Sequence, residues 1–245
     1  MSHYYPIFLD LRGKHCLVVG AGEVASGKIP PLLEAGARMS VVAPWLHPRM
    51  QALLDHPNLI LNQRVFREED LHEAWLVIAA TDQPAVNGQI HRICQERRIW
   101  VNVADDTPHC SFILPSIASE GPLKIAISTS GTSPTMAGVL RKKIQTELLT
   151  PDLADLATYL GSWRSAINPL LLTFSMKKLF WQRVVQSRIG TLIARRQYRD
   201  ALGLLQNHLD SVRMGEGLPC VFLEPQVQRQ EELPIENQTQ ERRTA

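Results

Sequence analysis

Cysteine is sparse in this chain of 245 residues. The four cysteines are Cys16, Cys94, Cys110 and Cys220, and no two of them form a C-x-x-C pair. This scatter argues against a disulfide framework and against a thiolate metal site, and it fits a reducing cytoplasm. We therefore expect no metal site built by the protein and a cytoplasmic location.

Long apolar runs and an excess of one charge are also missing. The strongly apolar stretches, such as residues 75–80, have the length of a strand and are far shorter than the roughly 18 residues of a membrane helix. The N-terminal sequence MSHYYPIFLDLRGK does not have the pattern of a signal peptide. The 26 Lys and Arg against 24 Asp and Glu leave a net charge of +2. We expect neither a membrane nor a nucleic acid as partner.

The first hundred residues alternate between short apolar runs and amphipathic helical segments. Such repetition favours parallel strands joined by right-handed crossovers, hence an α/β fold with a Rossmann-type, doubly wound parallel sheet. The predicted strands are residues 15–19, 39–43, 59–61, 75–80 and 99–103, and the clearest helical segments are 48–54 and 84–97.

The pattern changes after residue 111. Apolar runs at 111–119 and 123–128 flank the turn sequence Glu-Gly-Pro and predict a β-hairpin. A helix is predicted from Pro134 to about Leu149, and residues 152–212 have helical patterning that is interrupted at Asn168-Pro169 and near Gly190. From residue 215 the chain is rich in Pro, Gln and Glu, which predicts a mobile tail.

The sharpest local motif is G-x-G-x-x-A directly after the first predicted strand. Gly20 permits the tight turn, Gly22 lets the backbone approach a pyrophosphate, and Ala25 allows the helix to pack closely on the sheet. A glycine-rich turn without a ligand has the same local sequence, but the repeated strand and helix pattern favours dinucleotide binding.

Two features depart from this fingerprint. The acidic residue that usually binds the ribose is missing after the second strand, so adenosine recognition is assigned to backbone groups near Pro44 and Trp45, and the choice between NAD and NADP stays open. The helix after the fingerprint contains Gly27, Pro30 and Pro31. Because an interior proline costs about 3 kcal/mol, we expect a short helix from Glu23 that kinks or restarts near Pro30.

A carboxylate follows the fifth predicted strand. Open parallel sheets bind ligands beyond the carboxyl ends of their strands, so Asp105 would face the reacting end of a dinucleotide. Asp105 or Asp106 could equally cap a turn, and His109 fits a loop histidine better than a catalytic one.

A hydroxyl-rich loop precedes the predicted helix at Pro134. The helix N-terminus and its exposed N–H groups suit an anion, and Arg141, Lys142 and Lys143 could add positive charge. An ordinary helix cap followed by a solvated basic face is the alternative. The loop consists of Ser128, Thr129, Ser130, Gly131, Thr132 and Ser133.

Six short motifs follow one another in the chain. They are Pro6-Ile7-Phe8, the segment from Val19 to Ala25 with Lys28, Ala79-Ala80-Thr81-Asp82, Asn102-Val103-Ala104-Asp105, Ser111-Phe112-Ile113-Leu114-Pro115 and Gly131-Thr132-Ser133-Pro134. In this order they resemble the precorrin-2 dehydrogenase/sirohydrochlorin ferrochelatase family, which also forms the N-terminal half of trifunctional siroheme synthase. The resemblance covers about residues 1–210. The chain departs from it at Ala21 and Gly27, where the family usually has a third consecutive glycine and an arginine, and in the loop Ser128-Thr129-Ser130-Gly131, where relatives often have a second glycine.

The resemblance implies a homodimer of chains with an NAD-binding Rossmann domain (1–113), a central dimerisation region (114–149) and a helical domain (150–214). The tail (215–245), predicted from composition, lies outside the resemblance. It implies oxidation of precorrin-2 to sirohydrochlorin with NAD, followed by insertion of ferrous iron as a chelation substrate. A dehydrogenase without chelatase activity and a non-catalytic tetrapyrrole carrier are the alternatives. Because the chain ends without a methyltransferase domain, we do not expect it to make precorrin-2.

The resemblance also implies roles for individual residues. Asp105 would be the catalytic residue, and residues 128–133 would bind the substrate. The implied cofactor-binding residues are Gly20, Gly22, Glu23, Val24, Ala25, Pro44, Trp45, Thr81 and Asp82.

Overall fold

The computed structural model describes residues 4–221 and 223. The chain divides into two compact units, one formed by Met1–Ile117 with Ala126–Arg141 and the other by Ala118–Ile125 with Lys142–Ala245. These bounds partition the chain differently from the implied domains, because the hairpin and the helix after it each contribute to both units. None of the helices in the described residues is long and apolar enough to cross a membrane.

The first unit contains a sheet of five parallel strands, which confirms the predicted fold class. Its spatial order is β3-β2-β1-β4-β5, with β1 in the centre. In register, Val18 of β1 lies opposite Val41 of β2 and Ile78 of β4. The strands are β1 (His15–Val19), β2 (Arg38–Val42), β3 (Leu59–Asn62), β4 (Leu76–Ala79) and β5 (Trp100–Val103).

Successive side chains of β1 enter two different hydrophobic clusters, as the two-residue period of a strand requires. Cys16 and Val18 belong to the cluster that contains Ile29 of helix α1 (Glu23–Glu34). Leu17 and Val19 belong to the cluster that contains Ile90 of helix α2 (Pro84–Arg97). The sheet is therefore covered by a helix on each face. Because the helices cover the faces and not the ends, the carboxyl ends of the strands remain available to a ligand.

Helix α1 is continuous from Glu23 to Glu34, so the expected restart near Pro30 is wrong. Pro30 and Pro31 lack the N–H groups that would bond to the carbonyls of Ser26 and Gly27. The apolar side chains of the same helix offset this loss, because Ala25, Ile29, Leu32 and Leu33 are all buried.

Gly27 is an exposed position inside α1 at which a side chain meets nothing. A Cβ atom built there has no neighbour within 4 Å. We expect Gly27→Ala to raise the free energy of unfolding of the first unit by about 1 kcal/mol, because alanine restricts the unfolded chain and favours the helix. Chemical denaturation followed by circular dichroism measures the change, and a lowered stability would contradict the account.

The predicted hairpin is present with a shorter first strand. Strands β6 (Ser116–Glu120) and β7 (Leu123–Ile127) pair around Gly121, whose φ is +51°. Residues 111–115 are not a strand, which corrects the prediction. Ser111 instead bonds to β5: its N–H donates to the carbonyl of Val101 at 2.8 Å, and its hydroxyl accepts from the Val101 N–H at 2.7 Å.

The helix after the hydroxyl-rich loop changes its hydrogen-bond pattern before it ends. Helix α3 spans Pro134–Lys143 and is followed by a π-helical segment, Ile144–Leu148. Within the second unit, Gln145 contacts the hairpin through two bonds, accepting from Ser119 N–H and donating to Ser119 carbonyl oxygen at 3.0 Å each. The Gln145 side chain thus satisfies the two backbone groups of Ser119 that a neighbouring strand would otherwise bond.

The second unit is otherwise helical, as the patterning predicts. Thr150 and Thr173 cap α4 and α5 by accepting hydrogen bonds from N–H groups in the first turn. Its core is centred on Trp163, Phe180 and Leu205. The helices are α4 (Pro151–Ile167), α5 (Phe174–Gln186), α6 (Ile189–Ala194) and α7 (Tyr198–Gly215).

The described residues after α7 contact that helix. Gln206 donates to the carbonyl of Val221 at 2.7 Å and accepts from the N–H of Leu223 at 2.8 Å. The buried Arg213 donates to the carbonyl of Pro219 at 2.8 Å. This part of the predicted tail is therefore bonded to the helical unit, and residues 222 and 224–245 lie outside the described residues.

We expect His208 on α7 to make the stability of the second unit depend on pH. Its Nε2 atom is buried without a hydrogen-bond partner among the described residues. Burial, and then the positive charge of Arg183, lowers the pKa of His208 below its ordinary value near 6.5. As the pH falls below about 6.5, the unfolded chain takes up a proton that the folded state resists, so the free energy of unfolding decreases.

We expect His208→Met to make this decrease shallower between about pH 7 and pH 5, because methionine neither titrates nor leaves a polar atom unpaired. Urea unfolding of both proteins across that range measures the difference. Parallel pH profiles for the two proteins would show that His208 is not the titrating group.

Candidate active site

Gly20 forms the turn between β1 and α1, and no other residue fits there. Its φ is +102°, and a Cβ atom would overlap the carbonyl oxygen of Ala80 at the end of β4. Its N–H donates to the carbonyl of Val42 at 2.9 Å. The turn is thus held between the ends of two strands, at the edge where open parallel sheets generally bind their ligands.

Gly22 leaves the N-terminus of α1 open. It is the residue before the helix, no side chain caps the helix there, and a Cβ atom built on it has no neighbour within 4 Å. The N–H groups of the first turn therefore have room for an anion at the positive end of the helix dipole. This open cradle fits the pyrophosphate of a dinucleotide.

Glu23 carries a negative charge in the same turn, where it would repel a pyrophosphate. Its carboxylate is paired with Arg49, with 3.0 Å between Oε1 and Nη1. Both side chains are about two-thirds exposed, so solvent screens the pair and its contribution to stability is small. Its effect on the site is to compensate the charge of Glu23.

The loop after β2 rests against the fingerprint turn. The N–H of His47 donates to the carbonyl of Ala21 at 2.9 Å. Trp45 is 61% exposed and its ring meets that of His47 edge to face, with 6.2 Å between the ring centroids. Together with the exposed Pro44, this loop offers an apolar surface at the predicted adenosine position.

Thr81 and Asp82 follow β4, and Asn87 of α2 fixes their conformation. The Asn87 Oδ1 atom accepts from the Thr81 hydroxyl at 2.7 Å, and its Nδ2 atom donates to the Thr81 carbonyl at 3.1 Å. Asn87 is buried and was not identified from the sequence. The sequence feature that could have identified Asn87 is that a polar residue occupies an inward-facing position in the helical pattern of α2.

Asp105 occupies a strained position directly after β5. Its φ is +58°, a left-handed conformation that Asp and Asn tolerate better than other side chains. The N–H of Asp106 donates to the carbonyl of Val103 at 3.3 Å and closes the turn around it. The Asp105 carboxylate is exposed and makes no hydrogen bond or ion pair with the described residues. It is free to meet a ligand.

The neighbouring Asp106 is engaged with the protein. Its Oδ2 atom lies 2.7 Å from Nδ1 of His109, and the His109 carbonyl contacts Nδ1 of His91 at 2.8 Å. The thiol of Cys110 donates to the Val103 carbonyl at 3.3 Å, and burial raises the pKa of this thiol. Across the described residues, no cluster of three or more His, Cys, Asp or Glu could hold a metal ion.

A cavity of about 330 Å³ joins three of the regions singled out in the sequence. It lies wholly within the first unit. Its wall includes Val24 of α1, Asp105, and Ser128, Thr129 and Gly131 of the hydroxyl-rich loop. The remaining wall residues are Lys28, Asn102, Val103, Ala104, Asp106, Thr107, Cys110, Ile113, Leu114, Pro115, Ser116, Ile127, Pro134 and Ala137.

The hydroxyl groups of Thr132 and Ser133 form hydrogen bonds within the hydroxyl-rich loop and at the start of α3. Ser133 caps α3 by accepting from the N–H of Met136 at 3.3 Å, and the Thr132 hydroxyl donates to the carbonyl of Thr129 at 2.6 Å. Ser130 and Gly131 are both left-handed, with φ of +54° and +83°. Ser128, Thr129 and Gly131 are part of the cavity wall, while Ser130, Thr132 and Ser133 are not.

Lys28 is the wall residue that the sequence singled out without assigning it a role. It is half-buried on α1, one turn after Val24. By contrast, Arg141, Lys142 and Lys143 are not part of the wall. The positive charge at this cavity therefore comes from the fingerprint helix rather than from the helix that follows the hydroxyl-rich loop.

Three consecutive family models match the chain. Residues 7–116 match a model described as NAD(P)-binding, residues 120–147 match the central region of a sirohaem biosynthesis protein, and residues 152–209 match the sirohaem synthase dimerisation region. Together they account for most of the described chain.

Individual relatives agree with these matches. Siroheme synthase 1 of Serratia proteamaculans is 39% identical over 86% of this chain, and the siroheme synthase of Nitrosococcus oceani is 37% identical over 84%. The match covers 44% of each of these relatives, so the chain spans less than half of their length. The solved structure of SirC, precorrin-2 dehydrogenase, is 25% identical with a TM-score of 0.67, covering 83% of this chain and all of that one.

Proposed function

Because the chain belongs to the siroheme synthase family, whose NAD(P)-binding, central and dimerisation regions it carries in order, we propose that it is a precorrin-2 dehydrogenase. It would oxidise precorrin-2 to sirohydrochlorin with NAD. The observation that carries this proposal is the cavity whose wall includes both Val24, near the start of the fingerprint helix, and Asp105, whose carboxylate makes no hydrogen bond or ion pair with the described residues.

The fingerprint residues would hold the cofactor. Gly20 sets the turn, and the open N–H groups after Gly22, which include those of Val24 and Ala25, would bind the pyrophosphate. The apolar loop at Pro44 and Trp45 would support the adenosine, and the turn at Thr81 and Asp82, fixed by Asn87, would border the dinucleotide at the end of β4. NAD supplies the acceptor for a hydride when it is bound.

Asp105 would accept the proton that accompanies this oxidation. Precorrin-2 loses a hydride and a proton, and the carboxylate takes the proton from the macrocycle and passes it to water. Its exposure and its lack of a protein partner suit both steps. The left-handed turn carries the carboxylate, and no hydrogen bond from a described residue occupies its oxygen atoms.

The cavity would receive one edge of the tetrapyrrole. Its 330 Å³ lies near the lower end of the roughly 300–1,000 Å³ typical of small-molecule sites, which suits part of a macrocycle better than all of it. Ser128, Thr129 and the backbone at Gly131 provide polar groups for the carboxylates that surround the macrocycle.

Ferrous iron would enter sirohydrochlorin at the same cavity as the second reaction. Asp105 would then take protons from the pyrrole nitrogens as the metal, which is a substrate here, replaces them. The protein would act as a homodimer. The match to a dimerisation region supports this, as do the exposed apolar side chains of Met136, Val139 and Leu140 on α3.

Anaerobic incubation with precorrin-2 and NAD tests the dehydrogenase proposal. We expect NADH and sirohydrochlorin to appear in equal amounts, and siroheme to appear when ferrous iron is added to the product. Sirohydrochlorin without protein-dependent siroheme would identify a dehydrogenase only. Folded protein that binds the tetrapyrrole but forms no NADH would contradict the enzyme proposal in favour of a carrier.

A further inference from the structure

We propose that Lys28 binds a carboxylate of the tetrapyrrole inside the cavity and thereby sets the orientation in which the macrocycle meets Asp105. This inference rests on the proposed function, because it takes a carboxylated tetrapyrrole as the ligand. It assigns the recognition of substrate charge to the helix that begins at the dinucleotide fingerprint.

The position of Lys28 connects the two ligands. Val24 and Lys28 are four residues apart on α1, so they lie on the same face of the helix, and both form part of the cavity wall. The N-terminus of this helix is the open cradle at Gly22. A carboxylate bound to Lys28 would therefore lie about one helical turn beyond Val24, on the side of the helix that faces the cavity.

The charges on the wall make Lys28 the group that an anionic ligand needs. Asp105 and Asp106 are the acidic residues on the wall. Among the described residues that form the wall, Lys28 is the only lysine, and there is no arginine. Asp106 is paired with His109, whereas Asp105 is unpaired. A ligand with several carboxylates would meet two negative side chains there, and Lys28 compensates one of them.

Lys28 is also available for a ligand. Within residues 4–221 and 223, no carboxylate lies within ion-pair distance of its ammonium group. The side chain is half-buried, so part of its surface has already lost water. A partly desolvated ammonium group with no partner binds an incoming carboxylate more strongly than a fully solvated surface lysine does.

Direct titration with sirohydrochlorin in the absence of NAD tests the proposal without requiring turnover. We expect Lys28→Met to weaken binding by about tenfold and to reduce the dependence of Kd on salt, since one ion pair is lost. Lys28→Arg should stay within about threefold of wild type, because it keeps the charge. Lys178→Met, on the exposed surface of α5, removes the same charge outside the cavity and should bind as wild type does.

Four results would overturn the inference. In the first, Lys28→Met binds sirohydrochlorin as tightly as wild type. In the second, Lys178→Met weakens binding as much as Lys28→Met does, which would assign the effect to the net charge of the protein. Lys28→Met could instead weaken only NAD, measured in a separate titration, which would place the lysine at the dinucleotide. If folded wild-type protein binds no sirohydrochlorin at all, the proposed function itself fails along with the inference.

Discussion

Asp105→Asn is expected to lower kcat for precorrin-2 oxidation by a factor of about 10² to 10⁴, the usual contribution of a positioned general base. Asparagine has the same shape and also tolerates the left-handed φ of +58° at this position, but it cannot accept the proton. Stopped-flow measurement of NADH formation under anaerobic conditions gives the rate.

The choice of asparagine matters because alanine would confound the result. A residue without a polar side chain costs roughly 1–2 kcal/mol in the left-handed conformation, so Asp105→Ala could distort the turn that Asp106 and Val103 close. Unchanged NAD affinity and an unchanged melting temperature would show that Asp105→Asn keeps the site intact. Turnover within threefold of wild type would exclude Asp105 as the base.

Gly22→Ala is expected to weaken NAD binding by roughly 10- to 100-fold while the protein stays folded. The backbone at Gly22 is extended and the space around it is open, so alanine fits the protein and costs at most about 1 kcal/mol as a poorer residue before a helix. The added methyl group would instead occupy the cradle where a pyrophosphate approaches. Isothermal titration with NAD measures the loss.

Gly27→Ala provides a matched control for this variant. It adds the same methyl group to the same helix at an exposed position away from the cradle, again with no neighbour within 4 Å. Its NAD affinity should equal that of wild type. Equal affinity in all three proteins would show that the pyrophosphate does not approach Gly22.

The sequence predicts the sheet well because the signals that specify it are local. The strands predicted at residues 15–19 and 59–61 are short apolar runs, and their parallel direction follows from the alternation of strands with crossover segments. The fingerprint glycines are equally clear, and the structure explains Gly20, because a Cβ atom there would overlap the carbonyl of Ala80. For both the strands and the fingerprint glycines, the sequence pattern specifies the geometry of the backbone.

The details that the sequence did not predict depend on tertiary packing. The continuity of α1 through Pro30 is decided by the burial of Ile29 and Leu33, which local helix propensity does not include. The placement of Lys28 on the cavity wall, in place of the lysines after Pro134, depends on which face of α1 the sheet leaves uncovered. Asn87 likewise acquires its role only when α2 packs beside the end of β4.

A crystal structure of the protein with NAD and sirohydrochlorin tests the central claim most directly, because that claim is a statement about where the two ligands meet. The account predicts the nicotinamide ring at the cavity between Val24 and Asp105, with an edge of the tetrapyrrole in contact with the Asp105 carboxylate. A tetrapyrrole bound away from Asp105, or a nicotinamide ring that does not reach this cavity, would contradict it.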